Sequence, residues 1–527
     1  VYKYLIDFKG REMFVNIIEV LKNNAIKYAD NVALEDENKS LSWKELDKSS
    51  DSIAQIFLKM GYEKGCHIGL SGKNSIIWAE IFLGILKFGG IPVLLNTQWK
   101  TCELKKIVEH CDIESIIYDD NITTMNKLCS DKVKCICFSE VKDNIVFPSD
   151  IKACNADIKA KDTACIIFTS GSTSMPKAVM LSHENILSNS SSIVKALHWN
   201  SEDKMCICVP MFHCFGLTAG LISGIVSKAC VYIIGDFRNK KVFEAITTKK
   251  CNILSGVPSM FLIFYEKYGD RRFFGLKSGI IAGSPILLND YRKILAMFPK
   301  MKLLTSYGQS ETSPCVTVSD WDTDIENMPI HCGKAIEGVS VKIDSDFVLK
   351  EGENILCGEV LVKGINVMQG YYNNPIENEK IFTNDGWLRT GDLGYLDSDG
   401  NLYIKARKKD VIIKLGEKIS PMEIEEVVYK IDGIKHAKVC GIPEKIVQEE
   451  VALCIVTDRE ISDEYIIEYL KQYLSEYKLP KKIFRFDSFP STSNGKIDIA
   501  ALKNKINRIL DKGENQCQNA ILQNNMN

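Results

Sequence analysis

Ala164-Cys-Ile-Ile-Phe-Thr-Ser-Gly-Ser-Thr-Ser-Met-Pro-Lys177 sets a short apolar run against hydroxyls, one glycine and one lysine. The run predicts a buried strand, and Thr169 to Lys177 a turn leaving its end. Backbone N–H groups and Ser/Thr hydroxyls in such a turn make an anion-binding concavity, to which the lysine adds a mobile positive charge. The spacing is not that of a GxxxxGK[ST] loop: no Ser or Thr follows Lys177, and Pro176 precedes it. Taken alone, the stretch fits either a phosphate cradle or a Ser/Gly-rich surface turn.

Similar apolar runs lie outward from it at Ile91-Pro-Val-Leu-Leu95, Ser115-Ile-Ile-Tyr118 and Cys135-Ile-Cys-Phe138, several of them separated by helical stretches. That alternation predicts a layered α/β architecture with largely parallel sheets. Phe14, Ile17, Ile18 and Leu21 recur at helical spacing, Ser42-x-x-Glu45 reads as a capping box, and Asn74 is a candidate cap for a helix reaching Phe88. The apolar stretch from Ile81 to Leu95 contains Lys87 and a Gly-Gly break, so it reads as buried helix then strand rather than a membrane span. From Gly358 the texture becomes strands with turn pairs such as Asp399-Gly400, then the basic run Lys405-Ala-Arg-Lys-Lys-Asp410, then a smaller αβ pattern.

The bulk figures agree with an enzyme-sized chain. Its 527 residues exceed one core and predict two or more domains. A net charge of −2 provides no field for nucleic acid or an anionic membrane. The 19 cysteines include no C-x-x-C pair and follow no secretory signal, so they read as small core residues kept reduced in a cytoplasmic setting.

Further segments follow in order: Pro210-Met-Phe-His-Cys-Phe-Gly-Leu217, Ala282-Gly-Ser-Pro285, Tyr307-Gly-Gln-Ser-Glu-Thr312 and Trp387-Leu-Arg-Thr-Gly-Asp-Leu-Gly394. Then come Arg407-Lys-Lys-Asp410, Gly416-Glu-Lys-Ile-Ser-Pro421 and Ser493-Asn-Gly-Lys496. With these in place the chain resembles the adenylate-forming superfamily of acyl-CoA synthetases, adenylation domains and luciferases, from about Ala25 to Leu502. The resemblance implies a large N-terminal domain with layered mixed sheets (residues 1–406) and a small mobile α+β C-terminal domain (407–512). A polar tail (513–527) is expected to be disordered. It also implies ATP and Mg²⁺ as cofactors and CoA as co-substrate.

The chemistry accounts for the residue types. A carboxylate attacks the α-phosphorus of ATP, so two anions must meet, and positive charge with oriented donors should supply most of the catalysis. By resemblance, Lys496 bridges carboxylate and α-phosphate, Glu311 is the magnesium carboxylate with Thr169 as second ligand, and His213 belongs to an aromatic gate on the acyl route. The phosphate loop contributes Thr169, Ser170, Gly171, Ser172, Thr173 and Lys177. Tyr307, followed by Gly308, Gln309 and Ser310, stacks on adenine, with Gly283, Ser284 and Pro285 on its other side. Asp392 accepts the ribose hydroxyls and Arg407 donates to ribose or phosphate. Lys409 matches the hinge about which the small domain turns for thioester formation, and Gly416 then lets a pantetheine arm approach closely.

The chain departs from the pattern at Ser174 and Ala178, where glycine is usual, and at Ser310, Ala406 and Gln448. A non-glycine at a loop position of positive φ would cost about 1 kcal/mol. Phe-His-Cys-Phe at 212–215 holds no acid to pair a substrate ammonium, which favours an uncharged acyl or aryl acid, such as a fatty acid, over an amino acid. The expected reaction is that of an AMP-forming acyl-CoA synthetase. A stand-alone enzyme loading a carrier protein shares its first half, and a non-catalytic homologue would be expected to lack Lys496 or Glu311.

Overall fold

The computed structural model describes residues 5–6, 12–13, 16–122, 125–130, 133–145, 156–169, 175–324, 328, 331–351, 355–444, 447–491 and 497–510. The chain divides into two compact units, residues 1–341 with 362–388, and residues 342–361 with 389–527.

In the first unit the four apolar runs become strands of one seven-stranded sheet. Its order is Gly370–Tyr371, Lys177–Ser182, Thr163–Thr169, Ile91–Leu94, His67–Ser71, Ile113–Tyr118 and Lys134–Cys137. The last five pair in parallel, while Lys177–Ser182 turns back antiparallel to Thr163–Thr169. Strands covered on both faces need continuous apolar runs, which is why they stood out in the sequence. A nine-stranded sheet carries the parallel strands Cys230–Ile233, Lys204–Ile207, Ile253–Leu254, Ser278–Ala282 and Lys302–Gly308 side by side.

Helices Trp43–Lys59 and Ile76–Lys87 bury Trp43, Phe57, Trp78 and Phe82 in the main core. The Ser42/Glu45 capping box forms as expected. Lys87 is fully buried, its ammonium 2.6 Å from Asp47 and 2.9 Å from Asp51, so the charge that breaks the apolar run is paired within the core. Among the described residues no helix is long and apolar enough to cross a membrane, and all 17 described cysteines are free. Asn74 does not cap the helix at 76: Ser75 does, accepting from Trp78 N. Asn74 is drawn into tertiary contacts instead, as shown below.

His183, the first residue of helix His183–Ala196, is buried, and its Nδ1 accepts from Ile17 N at 3.4 Å. Burial keeps the ring neutral and lowers its pKa from 6.5 to about 4, with Asp162 opposing and Lys64 reinforcing the shift. Between those values the unfolded chain binds a proton that the folded chain refuses. Stability contributed by this site is therefore complete above pH 6.5 and falls by about 3 kcal/mol as pH drops to 4. His183→Gln should flatten that part of the stability–pH curve in urea melts; an unaltered slope would assign the acid sensitivity elsewhere.

The second unit holds most of a four-stranded sheet, Val339–Glu351, Ile355–Gly364, Leu388–Leu396 and Leu402–Arg407, around Leu349, Cys357, Leu393 and Ala406. The chain leaves it through Lys408–Asp410 and enters a five-stranded sheet centred on Ile434–Glu444 and Gln448–Thr457, with its own core of Ile412, Ile424, Leu453 and Ile455. The expected division at 406/407 thus falls inside this unit, between two separate cores. Gln448 adopts φ +71°, the left-handed conformation that explains why glycine is usual there. The segments containing Lys496, Ser170 to Ser174, Phe14 and the 513–527 tail lie outside the described residues.

Candidate active site

Parallel strands end at a common edge, and ligands of α/β sheets bind beyond the carboxyl ends of the strands. The carboxyl end of Lys204–Ile207 leads to the Pro210–Leu217 segment, that of Ser278–Ala282 to Gly283, Ser284 and Pro285, and that of Lys302–Gly308 to Gln309, Ser310 and Glu311. Ala282 and Ser306 are register partners, so Gly283, just past the end of one strand, and Tyr307, still on its neighbour, each follow one residue after that pair. Tyr307 is half-buried and residues 283–285 are exposed. The structure therefore brings together the two segments expected to hold adenine.

Asn74, buried between strands, organises the first of these ends. Its amide donates to Val209 O (2.8 Å) and Ile234 O (3.2 Å), and its Oδ1 accepts from Met211 N (2.7 Å). The chain then enters an eight-residue π-helix, Phe215–Ile222, a rare form that often marks functional sites. His213, just before it, lies 4.5 Å from the Phe212 ring, while Cys214 Sγ is 3.6 Å from Ser310 Oγ.

In the seven-stranded sheet Thr169 closes one strand and Lys177 opens the next, directly opposite it in register. Lys177 Nζ is held 2.6 Å from Glu377 Oε2 and sits 4.8 Å from the centre of the Tyr371 ring. Hydrogen bonds from Lys177 and then Lys380 hold the Glu377 carboxyl below its usual range. Ala178 lies in the strand, buried and paired with Phe168, so the strain anticipated for a non-glycine does not arise there.

Glu311 is 8% exposed in the short 3₁₀ turn Ser310–Thr312, and its Oε1 accepts from the Tyr371 hydroxyl at 2.8 Å. Burial first, then the Glu311 charge, push the Tyr371 hydroxyl far above its ordinary pKa, so it remains a donor. One carboxylate and one hydroxyl at 169 are hard oxygen donors. No cluster of three or more His, Cys, Asp or Glu among the described residues could hold an ion alone. Such oxygen donors are the kind that Mg²⁺ takes together with phosphate oxygens and water.

In the second unit Asp392 and Arg407 face each other across paired strands, Nε to Oδ1 at 3.1 Å. The adjoining Thr390-Gly391 stretch of the strand Leu388–Leu396 is fixed by Glu359, a buried carboxylate that accepts from Gly391 N (3.2 Å), Arg389 (3.2 Å) and Lys408 (2.9 Å). Lys409 follows in the exposed 3₁₀ turn Lys408–Asp410. Leu415 (φ +52°) and Gly416 (φ +85°) form the two-residue tip of the hairpin pairing Lys414 with Glu417. Both central residues are left-handed, as a type I′ turn requires, and no atom lies within 4 Å of where a Gly416 Cβ would stand.

Glu359, Tyr371 and Glu377 escape sequence reading, which gives Asn74 a helix cap instead of its tertiary contacts. A glutamate inside the apolar run Cys357-Gly-Glu-Val-Leu361 was the available signal, since a buried carboxylate demands a cation.

The sequence matches the family of AMP-binding enzymes over residues 21–372, more than half of the chain, and the AMP-binding enzyme C-terminal domain over residues 423–496. The chain belongs to the AMP-binding enzymes. Like other members of this adenylate-forming superfamily it is an AMP-forming ligase with a large N-terminal and a smaller C-terminal domain. Similar AMP-binding enzymes include a putative acyl-CoA synthetase, YngI, of Bacillus subtilis (strain 168), 27% identical over 92% of this chain and 96% of that one. The 2-succinylbenzoate–CoA ligase of Oceanobacillus iheyensis is 29% identical over 89% and 95%. Among solved structures, ATP-bound MatB from Rhodopseudomonas palustris superposes with TM-score 0.84 at 25% identity, covering 93% of this chain and 98% of that one.

Proposed function

We propose that this AMP-binding enzyme converts an uncharged acyl or aryl carboxylic acid to its CoA thioester by way of an acyl adenylate. The substrate carboxylate attacks the α-phosphorus of ATP and pyrophosphate leaves; the thiol sulfur then attacks the acyl carbonyl and AMP leaves. The relatives named acyl-CoA synthetase and CoA ligase support thioester formation.

The observation that carries the substrate class is the Phe212-His-Cys-Phe215 segment, which offers no carboxylate to a substrate ammonium; a small, mostly apolar cavity walled by Cys208, Leu254, Ser255, Met260, Phe261 and Phe264 lies near the candidate adenine segment. Gly256, on its rim, bridges to Ile281 just before the 282–285 motif. A buried ammonium in such a place would go unpaired. Bound Mg²⁺ would neutralise phosphate charge beside Glu311 and Thr169. Lys177 would exchange its Glu377 partner for phosphate oxygens, Asp392 would take the ribose hydroxyls, and Tyr307 would cover the adenine face. Lys496 is assigned the α-phosphate and Lys409 the hinge.

A panel of acids of rising length, followed by AMP release with and without CoA, tests this reading. Uncharged acids should outrun α-amino acids of equal length, with turnover dependent on CoA. Preference for amino acids, or transfer only to a carrier-protein thiol, would overturn it.

A further inference from the structure

Residues Asn366 to Tyr372 run as a strap between the turn that carries Glu311 and the strand that begins at Lys177. The Asn366 amide donates to Thr312 O (3.1 Å) and Cys315 O (2.8 Å), and Met368 N donates to Glu311 O (2.9 Å). Two residues on, Gly370–Tyr371 pairs with Lys177–Ser182, and Tyr372 N donates to Ala178 O at 2.8 Å. The strap is therefore stitched to the turn that carries Glu311 and to the strand that begins at Lys177. Tyr371 is its one side chain that the structure shows touching both: hydroxyl on Glu311 Oε1, ring beneath Lys177 Nζ.

We propose that Tyr371 is the positioning residue of the cation site, fixing the carboxylate of Glu311 before nucleotide and metal arrive. This rests on the assignment of Glu311 to the metal made above. The terminal torsion of a glutamate is broad, so its carboxylate needs an anchor to hold one orientation. The Tyr371 hydroxyl, donating to Oε1 at 2.8 Å, supplies that anchor, and a pre-aimed oxygen needs no reorganisation when charge develops. A buried tyrosine needs some acceptor in any fold, and a backbone carbonyl would serve. Here the acceptor is a carboxylate 8% exposed, whose own desolvation demands a donor.

Tyr371→Phe removes the hydroxyl and keeps the ring under Lys177. Binding of Mn²⁺ to full-length protein saturated with ATP, without acid substrate, is read by electron paramagnetic resonance; ATP binding in EDTA is read by calorimetry. Mn²⁺ affinity should fall about tenfold, the scale of a hydrogen bond to a charged group. Metal-free ATP binding should stay within about twofold, because no phosphate contact is removed. In a Glu311→Gln background the same change should add almost nothing, since Tyr371 acts on the metal only through the Glu311 carboxylate. Equal losses in both backgrounds, or metal-free ATP binding falling in step, would make Tyr371 a fold residue and overturn the proposal. Undiminished Mn²⁺ affinity in Tyr371→Phe beside a clear loss in Glu311→Gln would overturn it as well, leaving the metal assignment standing. No loss in Glu311→Gln would sink that assignment and this inference with it.

Discussion

Lys496→Ala is expected to slow acyl-adenylate formation by about 10²- to 10³-fold, the usual cost of removing one oriented donor from a developing oxyanion. The first half-reaction brings a carboxylate against a phosphate, and a cation reaching both is the term that water supplies least well. Thioester formation has no such need: the attacking thiolate meets a neutral carbonyl carbon, and AMP is already a good leaving group. The variant should therefore convert a supplied acyl adenylate and CoA to thioester at close to the original rate. Pyrophosphate exchange measures the first half and thioester release from synthetic adenylate the second. Equal losses in both would remove the division of labour between them. Lys496→Arg should restore little, because a planar guanidinium does not replace a point charge on a flexible stem.

The split between what the sequence showed and what it hid follows the range of the interactions. Strands such as Thr163–Thr169 and Ile113–Tyr118 were legible because a strand buried on both faces carries a run of apolar residues, here 164–168 and 116–118. The Ser42 capping box was legible because its two partners lie three residues apart. Asn74 failed for the same reason in reverse. Local grammar offered it a helix start, while its real partners, at Val209, Met211 and Ile234, are more than a hundred residues away. Tyr371 and Glu377 were silent likewise, as their functional partners stand 60 and 200 positions off. Of the candidate site, the turns and charged residues expected to meet nucleotide were readable from motif order. The side chains that hold those residues in place were not, since a tyrosine hydroxyl or a second carboxylate carries no local pattern. Gln448 shows a third case, a departure whose meaning is only its φ of +71°.

Gly308→Ala is expected to be the most damaging single-methyl change in the candidate site. Gly308 ends the strand Lys302–Gly308, and its register partner is Cys315 on the antiparallel strand Cys315–Val318. A Cβ there would stand 1.7 Å from Pro314 O and 3.1 Å from Val316 N, both backbone atoms that cannot rotate aside. The two strands must part by more than 1 Å to restore an ordinary contact distance. Tyr307 and Glu311 flank the glycine on the same segment, so that shift moves the adenine face and the candidate metal carboxylate together. Misplacement of this size costs about 100-fold in rate, and the forced separation should cost about 2 to 4 kcal/mol of stability. Gly275→Ala is the matched control, because no atom lies within 4 Å of its Cβ position. Melting curves and kcat/KM for ATP should leave Gly275→Ala near the parent and Gly308→Ala far below it. If the two variants behave alike, the close approach at Pro314 is not what fixes the Tyr307–Thr312 segment.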